Sequence, residues 1–194
     1  MDAQPSTRER IVLAAMELFW RKGYGSTSIA DILETAKVNS GSLYYFFRGK
    51  QDLLVAVLES YRDGIAPMLL EPSWGNVEDP VEKVFALLGT YRRLLLETDC
   101  FYGCPIGSLA LELHEPDPEV RELIAANFHA WTAAVRDCLE QAGLGKATDT
   151  QALAELVLTV MEGAVMQTRT YRDMAHYDRA VEQLRQYIGF LTRE

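Results

Sequence analysis

Apolar residues recur along this chain at the spacing of an α-helix. In residues 6–23 they stand three or four positions apart, at Ile11, Ala14, Ala15, Leu18 and Phe19. That spacing places them on one face of an amphipathic helix. Ser6 and Glu9 have the separation of a capping box, which predicts the start of this helix, and Gly23 predicts its end.

The same period predicts helices along the rest of the chain, and no segment alternates apolar and polar residues as a β-strand would. Further helices are expected over residues 27–37, 40–47, 50–70, 81–97, 105–114, 117–142, 149–172 and 177–192. Pro67 is expected to kink the helix that begins at Lys50. The pattern predicts an all-α protein of about nine helices, with a three-helix head in residues 1–49 and a larger helical body in residues 50–194.

The two short helices of residues 27–50 are separated by a tight turn, the arrangement of a helix-turn-helix. In the second helix Leu43 and Phe47 lie four positions apart and can face the core. The residues left to face outward are Ser40, Gly41, Ser42, Tyr44 and Tyr45. Small residues and tyrosines on an exposed helix indicate a partner, and a helix-turn-helix supplies one by placing its second helix in the DNA major groove.

This segment resembles the DNA-binding segment of the TetR family of transcriptional repressors. The matching residues are Gly25, Thr27, Ser28, Asp31, Ile32, Ala36, Val38, Gly41, Ser42, Leu43, Tyr44, Tyr45, Phe47, Lys50 and Leu53. Phe46 departs from the pattern, because the family often has histidine or another polar residue there. The resemblance implies a helix-turn-helix DNA-binding domain in residues 1–49 and a ligand-binding and dimerisation domain in residues 50–194.

The candidate DNA contacts combine small, hydroxyl-bearing and charged side chains. They are Thr27, Ser28, Ser40, Gly41, Ser42, Tyr44, Tyr45 and Lys50. Small residues let the helix backbone approach the groove, and tyrosine offers a hydroxyl to phosphate and a ring to thymine methyl groups. Lys50 adds charge at a helix N-terminus, whose amides already suit phosphate. The alternative is a packed helical hairpin with half-buried tyrosines.

Charge is distributed unevenly along the chain. The net charge of −9 argues against an indiscriminate nucleic-acid binder. Residues 1–50 contain seven Lys or Arg and five Asp or Glu, so they carry +2, and the remaining 12 basic and 23 acidic residues carry −11. Because exposed charges are screened beyond roughly 8–10 Å, a weakly basic head on an acidic body can still bind DNA.

The TetR resemblance also implies two partners besides a double-stranded DNA operator. Two facing helix pairs from residues 149–192 would form a homodimer interface, and a twofold dimer predicts a near-palindromic operator. The alternative is that the apolar faces of the helices in residues 149–192 are buried inside one protomer. Helical bodies of the family enclose an apolar pocket for a small-molecule effector, which is expected to release the repressor from DNA. The candidate ligand-binding residues are Tyr91, Phe128, Trp131, Met161 and Met166.

Cys104 supports an alternative function. Pro105 suits the first position of a helix, so Cys104 would be its cap residue, where unpaired amides and the helix dipole favour a reactive thiolate. The segment GCPIGSLALEL, residues 103–113, resembles one in the TetR subgroup related to LmrA and YxaF, and is similar to a segment in some electrophile-sensing members. A thiol-switched, redox- or electrophile-sensing repressor acting through Cys104 is therefore the second hypothesis. A small buried side chain is the plainer interpretation.

Several function classes lack their sequence signals. The chain has no glycine-rich phosphate loop, no G-x-S-x-G and no zinc spacing among its three cysteines. We therefore expect no enzyme, no cofactor and no metal site, although a ligand-binding or degenerate enzyme with a vestigial head remains a rival. The sequence has no signal-like N-terminus and no apolar run of 18 residues, so we expect a cytoplasmic protein without a membrane partner.

Overall fold

The computed structural model of the chain describes residues 4–146 and 148–192. Within these ranges the chain is all-helical and forms ten α-helices, which confirms the predicted fold class. The helices are α1 (Thr7–Lys22), α2 (Ile29–Ala36), α3 (Ser40–Phe46), α4 (Lys50–Asp63), α5 (Glu71–Trp74), α6 (Pro80–Glu97), α7 (Pro105–Glu112), α8 (Pro118–Gln141), α9 (Thr150–Tyr171) and α10 (Ala175–Leu191).

The additional helix comes from the segment predicted as one long, kinked helix over residues 50–70. Helix α4 ends at Asp63, a π-helical turn spans Ala66–Leu70, and the four-residue α5 follows. Pro67 lies in the π-helical turn and has no backbone N–H to donate, so the regular hydrogen-bond ladder cannot run through it. The predicted kink is therefore a π-helical interruption, and the backbone stays right-handed helical at Ile65 before it and at Glu71 after it.

The chain packs as two compact units, each built from two stretches of sequence. The first contains Met1–Asp63 and Pro105–Asn127. Its buried apolar residues include Ile11, Leu18, Ile32, Leu43, Phe47, Leu53, Val57 and Leu58. These are the stripes that the helical period predicts for α1 to α4. Asn127 is also buried, and its side-chain amide donates to the carbonyls of Leu58 and Leu123 at 3.0 and 2.9 Å.

Side chains fix the ends of the first three helices. Ser6 and Glu9 form the predicted capping box of α1. Ser28 and Asp31 form another at the start of α2, and hydrogen bonds from the Ser28 N–H and hydroxyl, with Lys22, lower the pKa of Asp31 to about 2. Arg10 donates to the last carbonyls of α2, those of Ala36 and Lys37, at 2.7 and 2.8 Å. The caps therefore define both ends of the first short helix of the pair.

The second unit contains Gly64–Cys104 and Phe128–Glu194. Helix α9 packs along α10, and both contact α6. The buried Tyr177 hydroxyl of α10 donates to the Leu88 carbonyl of α6 at 2.7 Å, and Arg92 of α6 pairs with Asp178 of α10 through two hydrogen bonds of 2.7 and 3.0 Å. These contacts hold α10 against α6.

No helix within residues 4–146 and 148–192 is long and apolar enough to cross a lipid bilayer.

Candidate nucleic-acid interface and effector cluster

Helix α3 is a two-turn helix that its N-cap and two buried side chains hold in place. The Asn39 side chain accepts hydrogen bonds from the Ser42 backbone N–H at 2.9 Å and the Ser42 hydroxyl at 3.1 Å. Leu43 is fully buried and Phe47, directly after the helix, is 4% exposed. The two predicted core residues therefore anchor one side of α3, and this leaves the opposite side to solvent.

The exposed side of α3 carries the predicted contact residues. Tyr44 and Tyr45 are 56% and 81% exposed, which excludes the half-buried hairpin alternative for these rings. Ser40 and Gly41 are exposed, and Ser42 is half-buried. Phe46 is 40% exposed and packs edge-on against the Tyr45 ring, with 4.8 Å between the ring centroids. The structure thus brings five candidate residues together on one short helical surface.

No described neighbour of Gly41 requires glycine at this position. A Cβ atom added to Gly41 would meet only the Asn39 Oδ1 atom, at 3.4 Å, among the described neighbours within 4 Å. Glycine also costs about 0.5–1 kcal/mol relative to alanine in a helix. An exposed glycine that packing does not need is typical of a surface that another molecule approaches closely.

The two candidate residues in the turn before α2 differ in exposure, because one is buried and the other faces solvent. Thr27 is 1% exposed, and its hydroxyl is placed to donate to the Gly23 carbonyl at 2.7 Å and to the Leu18 carbonyl at 3.3 Å. The Thr27 side chain therefore holds the turn and is not presented to solvent. Ser28 is exposed and caps α2, so its neighbouring backbone amides mark the open N-terminus of that helix.

Lys50 joins the start of α4 to the same turn. Its Nζ atom donates to the carbonyls of Tyr24 and Thr27 at 2.8 and 2.9 Å and lies 4.3 Å from the centroid of the Tyr24 ring. Two of the three ammonium hydrogens are therefore used within the protein. No further hydrogen bond of this ammonium group is present in the part of the chain that the structure describes.

Glu112 of α7 also belongs to this region. Its carboxylate on α7 accepts hydrogen bonds from the backbone N–H groups of Tyr24 and Gly25 at 2.9 and 2.6 Å. A separation of 87 residues between the partners hides this contact from any local pattern.

The predicted ligand residues divide into a buried group and one exposed residue. Tyr91, Trp131 and Met161 are 6%, 4% and 0% exposed, and Phe128 is half-buried. Met166 is 52% exposed, so it lies on the surface of the single chain and does not join the buried group. The prediction for Met166 therefore needs correction, because its position on α9 points away from the apolar interior.

Polar groups lie among these buried aromatic residues. Burial raises the pKa of the Tyr91 hydroxyl well above its ordinary value, and Cys104 and Glu162 nearby raise it further. The indole N–H of Trp131 lies beside this hydroxyl but makes no complete hydrogen bond with a described residue. We call Tyr91, Cys104, Trp131 and Glu162 the effector cluster, after the role that we propose for these residues.

Glu162 is the member that sequence reasoning missed. Burial raises the pKa of its carboxyl group, and a hydrogen bond from the Cys104 thiol lowers it in part. One carboxyl oxygen, Oε1, is buried without a hydrogen-bond partner among the described residues. The available signal was an acidic residue between the apolar positions Met161 and Val165 of α9. A dehydrated acceptor of this kind can receive a donor from a bound molecule.

Cys104 is 6% exposed. Thiol reactivity requires access as well as a favoured thiolate, so burial gives the thiol-switched alternative no support. In the part of the chain that the structure describes, no three His, Cys, Asp or Glu side chains are grouped as a metal site would require.

A short exposed helix anchored behind a capped turn, with tyrosines and small residues facing outward, defines a helix-turn-helix DNA-binding protein. Two family descriptions match this chain. That of the bacterial regulatory proteins of the tetR family matches residues 11–57, and that of the C-terminal domain of LmrA/YxaF-like transcriptional regulators matches residues 80–183. The chain therefore belongs to the TetR family of transcriptional regulators.

Curated relatives match along most of the chain. An HTH-type transcriptional regulator of Mycobacterium tuberculosis is 31% identical over 187 residues, which cover 93% of each chain. The regulator YxaF of Bacillus subtilis is 28% identical over 174 residues, covering 89% of this chain and 90% of the relative. The transcriptional repressor DhaR of Mycobacterium sp. strain GP1 is 23% identical over 180 residues, covering 91% and 89%.

Solved structures share the fold. A TetR regulator from Chloroflexus aurantiacus is 28% identical, covers 94% of each chain and superposes with a TM-score of 0.80. A TetR regulatory protein from Rhodobacter sphaeroides gives a TM-score of 0.82 at 22% identity, covering 92% of this chain and 96% of the other. At that identity the second comparison supports the fold alone.

Replacing Gly41 with alanine should separate stability from DNA binding. The change should raise the midpoint of thermal unfolding, because a helical glycine is removed where a Cβ fits. Operator affinity should fall roughly tenfold, about 1.4 kcal/mol, because the methyl group stands on the surface that approaches DNA. Gly89→Ala in α6 is the matched control, since a Cβ there meets no described atom within 4 Å and is not part of the surface of α3. Equal operator affinity for the Gly41 variant and the wild type would contradict the assignment.

Replacing Glu162 with glutamine should stabilise the protein at neutral pH by about 1–2 kcal/mol. Burial raises the folded-state pKa of Glu162 above its ordinary 4.5, so the folded chain holds that proton more tightly than the unfolded chain. Stability is then lost as pH rises from about 4.5 through the folded-state pKa. Urea unfolding across that range should show the variant's advantage growing with pH. The exposed Glu155→Gln on the same helix is the matched control for removing a carboxylate, and a pH-independent difference for Glu162→Gln would refute the effect of burial.

Proposed function

We propose that this chain is a homodimeric, ligand-responsive transcriptional repressor that binds a palindromic operator and is released by a small apolar or aromatic effector. The observation that carries the proposal is the outward surface of α3, where Tyr44 and Tyr45 are exposed beside the unneeded Gly41. Membership of the TetR family and the repressor named among its relatives support the same function.

In the proposed complex α3 lies in the major groove, with each side chain in a different role. Gly41 and Ser40 allow the helix backbone to approach the base edges. Tyr44 and Tyr45 supply ring contacts to thymine methyl groups and hydroxyls to phosphates. Ser42 supports the start of α3 through Asn39. These contacts combine positioning by phosphates with readout of bases.

Contacts outside α3 are expected to position the protein on the DNA backbone. Ser28 and the free amides at the start of α2 can bind one phosphate, and Lys50 at the start of α4 can bind another. Thr27 takes part only through the turn that its buried hydroxyl holds, because its backbone N–H donates to the Tyr24 carbonyl at 3.2 Å. In this proposal residues 1–49 form the DNA-binding domain and residues 50–194 the ligand-binding and dimerisation domain.

The proposed dimer surface is the outer face of α9 and α10. Many residues of the predicted stripes are already buried within one chain: Leu153, Val157, Met161, Ala164, Val165, Leu184 and Ile188. Other large apolar residues remain exposed on these two helices, among them Leu156 (41%), Met166 (52%), Tyr187 (47%) and Phe190 (60%). Exposed apolar patches of this kind mark protein interfaces.

The spacing on α9 favours a helix partner. Leu156, Thr159, Gly163, Met166 and Thr170 follow one another at intervals of three and four, the repeat of a helix-packing seam. Gly163 lies in the middle and allows a second helix to approach closely. A twofold axis through this face would give the dimer two copies of α3, which read half-sites about 34–36 Å apart on DNA.

The effector is proposed to bind at the effector cluster. Tyr91 and Trp131 offer aromatic surface, and the unpartnered Glu162 oxygen offers an acceptor for an N–H or O–H group of the ligand. Ligand binding would favour a conformation in which the segment from Lys50 to Glu71 tilts. A coupling free energy of about 1–3 kcal/mol would weaken operator binding roughly 5- to 150-fold.

Selection from a random DNA pool should recover a palindrome. We expect two half-sites separated by about one helical turn, with affinity falling steeply between 50 and 200 mM salt because bound phosphates release counterions. A Tyr44→Ala, Tyr45→Ala variant selected in parallel should recover no common sequence. A single unrepeated half-site would argue against the dimer, and no enrichment with the wild-type chain would refute operator binding.

Replacing Phe190 with glutamate should disrupt the dimer. A charge buried at the proposed interface would cost several kcal/mol, so sedimentation should show a monomer where the wild type is a dimer. Affinity for the full palindrome should then approach that for one half-site. Leu96→Glu is the control, because Leu96 is 50% exposed on α6 and lies outside this face. A dimer that survives the Phe190 change would place the interface elsewhere.

A further inference from the structure

Helix α7 is joined to the turn before α2 by one carboxylate. Glu112 ends α7, and its two oxygens each accept a backbone N–H group, from Tyr24 at 2.9 Å and from Gly25 at 2.6 Å. Both amides belong to the loop between α1 and α2, where no helical partner is available to them. A charged acceptor makes both hydrogen bonds stronger than neutral ones. One side chain therefore satisfies two adjacent amides of the DNA-binding region.

The glycines of this loop fit the carboxylate closely. A Cβ atom at Gly23 would lie 2.9 Å from the nearer Glu112 oxygen, and one at Gly25 would lie 3.1 Å from the other. Gly23 also has a φ of +85°, which strains other residues, whereas Gly25 is not among the positive-φ residues. A side chain at position 25 is therefore disfavoured by the nearby Glu112 carboxylate and not by a left-handed backbone conformation.

The same loop sets the position of the proposed DNA contacts. The Tyr24 carbonyl accepts from Lys50 Nζ at 2.8 Å, and the Tyr24 ring lies under that ammonium group. Lys50 also binds the Thr27 carbonyl at 2.9 Å, one residue before the α2 cap at Ser28. Glu112, the loop, Lys50 and the α2 N-terminus thus form one continuous set of hydrogen bonds.

We propose that Glu112 is a positioning residue for operator recognition, through which α7 controls the orientation of the α2 N-terminus and Lys50 toward DNA. This inference rests on the proposed function and adds a second path to it, distinct from the segment that begins at Lys50. Helix α7 starts at Pro105, the residue after Cys104 of the effector cluster. The chain itself therefore connects the effector cluster to the Glu112 contact.

The direction in which operator affinity changes when Glu112 loses its charge distinguishes this role from a general electrostatic effect. Removing an acidic charge from a DNA-binding protein strengthens its attraction to phosphate. Positioning by Glu112 gives the opposite effect, because glutamine accepts one N–H but faces the other with its own donor group. Glu115, an exposed acid three residues further along, supplies a control with the same loss of charge.

The test measures operator affinity and amide exchange in the full-length chain. Glu112→Gln should weaken binding to the selected palindrome roughly threefold and Glu112→Ala roughly tenfold, about 1.4 kcal/mol for the latter. Glu115→Gln should leave affinity unchanged or slightly higher. Hydrogen exchange should speed up at the amides of Tyr24 and Gly25 in both Glu112 variants, with the midpoint of thermal unfolding little altered because Glu112 is exposed.

A double-mutant cycle tests the contact itself. Gly25→Ala should weaken operator binding in the wild-type background, because its Cβ displaces the carboxylate. The same change in the Glu112→Ala background should cost clearly less, since the carboxylate is already gone. Additive effects of the two changes would overturn the proposed coupling.

The outcomes separate this proposal from the proposed function. If the wild-type chain binds the palindrome and Glu112→Gln binds it equally well or more tightly, the positioning role is refuted and the repressor function stands. If the wild-type chain selects no operator, the proposed function fails and the positioning role fails with it. Unchanged exchange at Tyr24 and Gly25 in the Glu112 variants would show that the contact does not hold the loop in solution.

Discussion

The burial of Leu43 and Phe47 is the constraint on which the DNA-binding surface depends. Helix α3 has seven residues, too few for a stable helix in water without tertiary contacts. Its two apolar anchors, four positions apart, fix both the existence of the helix and the side that faces solvent. Tyr44, Tyr45 and Gly41 occupy the exposed surface as a consequence. The packing of Leu43 and Phe47 therefore holds the exposed surface of α3 in place.

The second unit keeps a feature that packing alone would remove. A buried carboxylate without a partner for one oxygen costs free energy, as does an indole N–H beside a hydroxyl that does not complete its hydrogen bond. These two unsatisfied atoms, the Trp131 indole nitrogen and the Glu162 Oε1 atom, lie near the Tyr91 hydroxyl. Such costs are typical of sites that bind a ligand, and they support the effector site that we propose.

Helix α9 serves two surfaces at once. Its inner positions, such as Val157 and Met161, fill the interior, while Leu156 and Met166 face solvent in the single chain. The sequence presents all of these as one broad apolar stripe, because a helix that is apolar over most of its circumference has no marked boundary between its faces. Packing against α10 and α6 decided which residues stay available for a partner. That division explains why Met166, expected in a ligand pocket, lies on the surface.

The sequence alone determined the local features of this protein. Helical period, the capping box at Ser6, and the small and aromatic residues around Leu43 specified the all-α fold and the helix-turn-helix, because each signal depends on residues within one or two turns. Tertiary structure decided the contacts between distant residues: the buried Thr27 hydroxyl, the internal hydrogen bonds of Lys50, and the pairing of Glu112 with Gly25 across 87 residues. Burial and hydrogen-bond partners depend on which segments meet in space, and no local spacing encodes that.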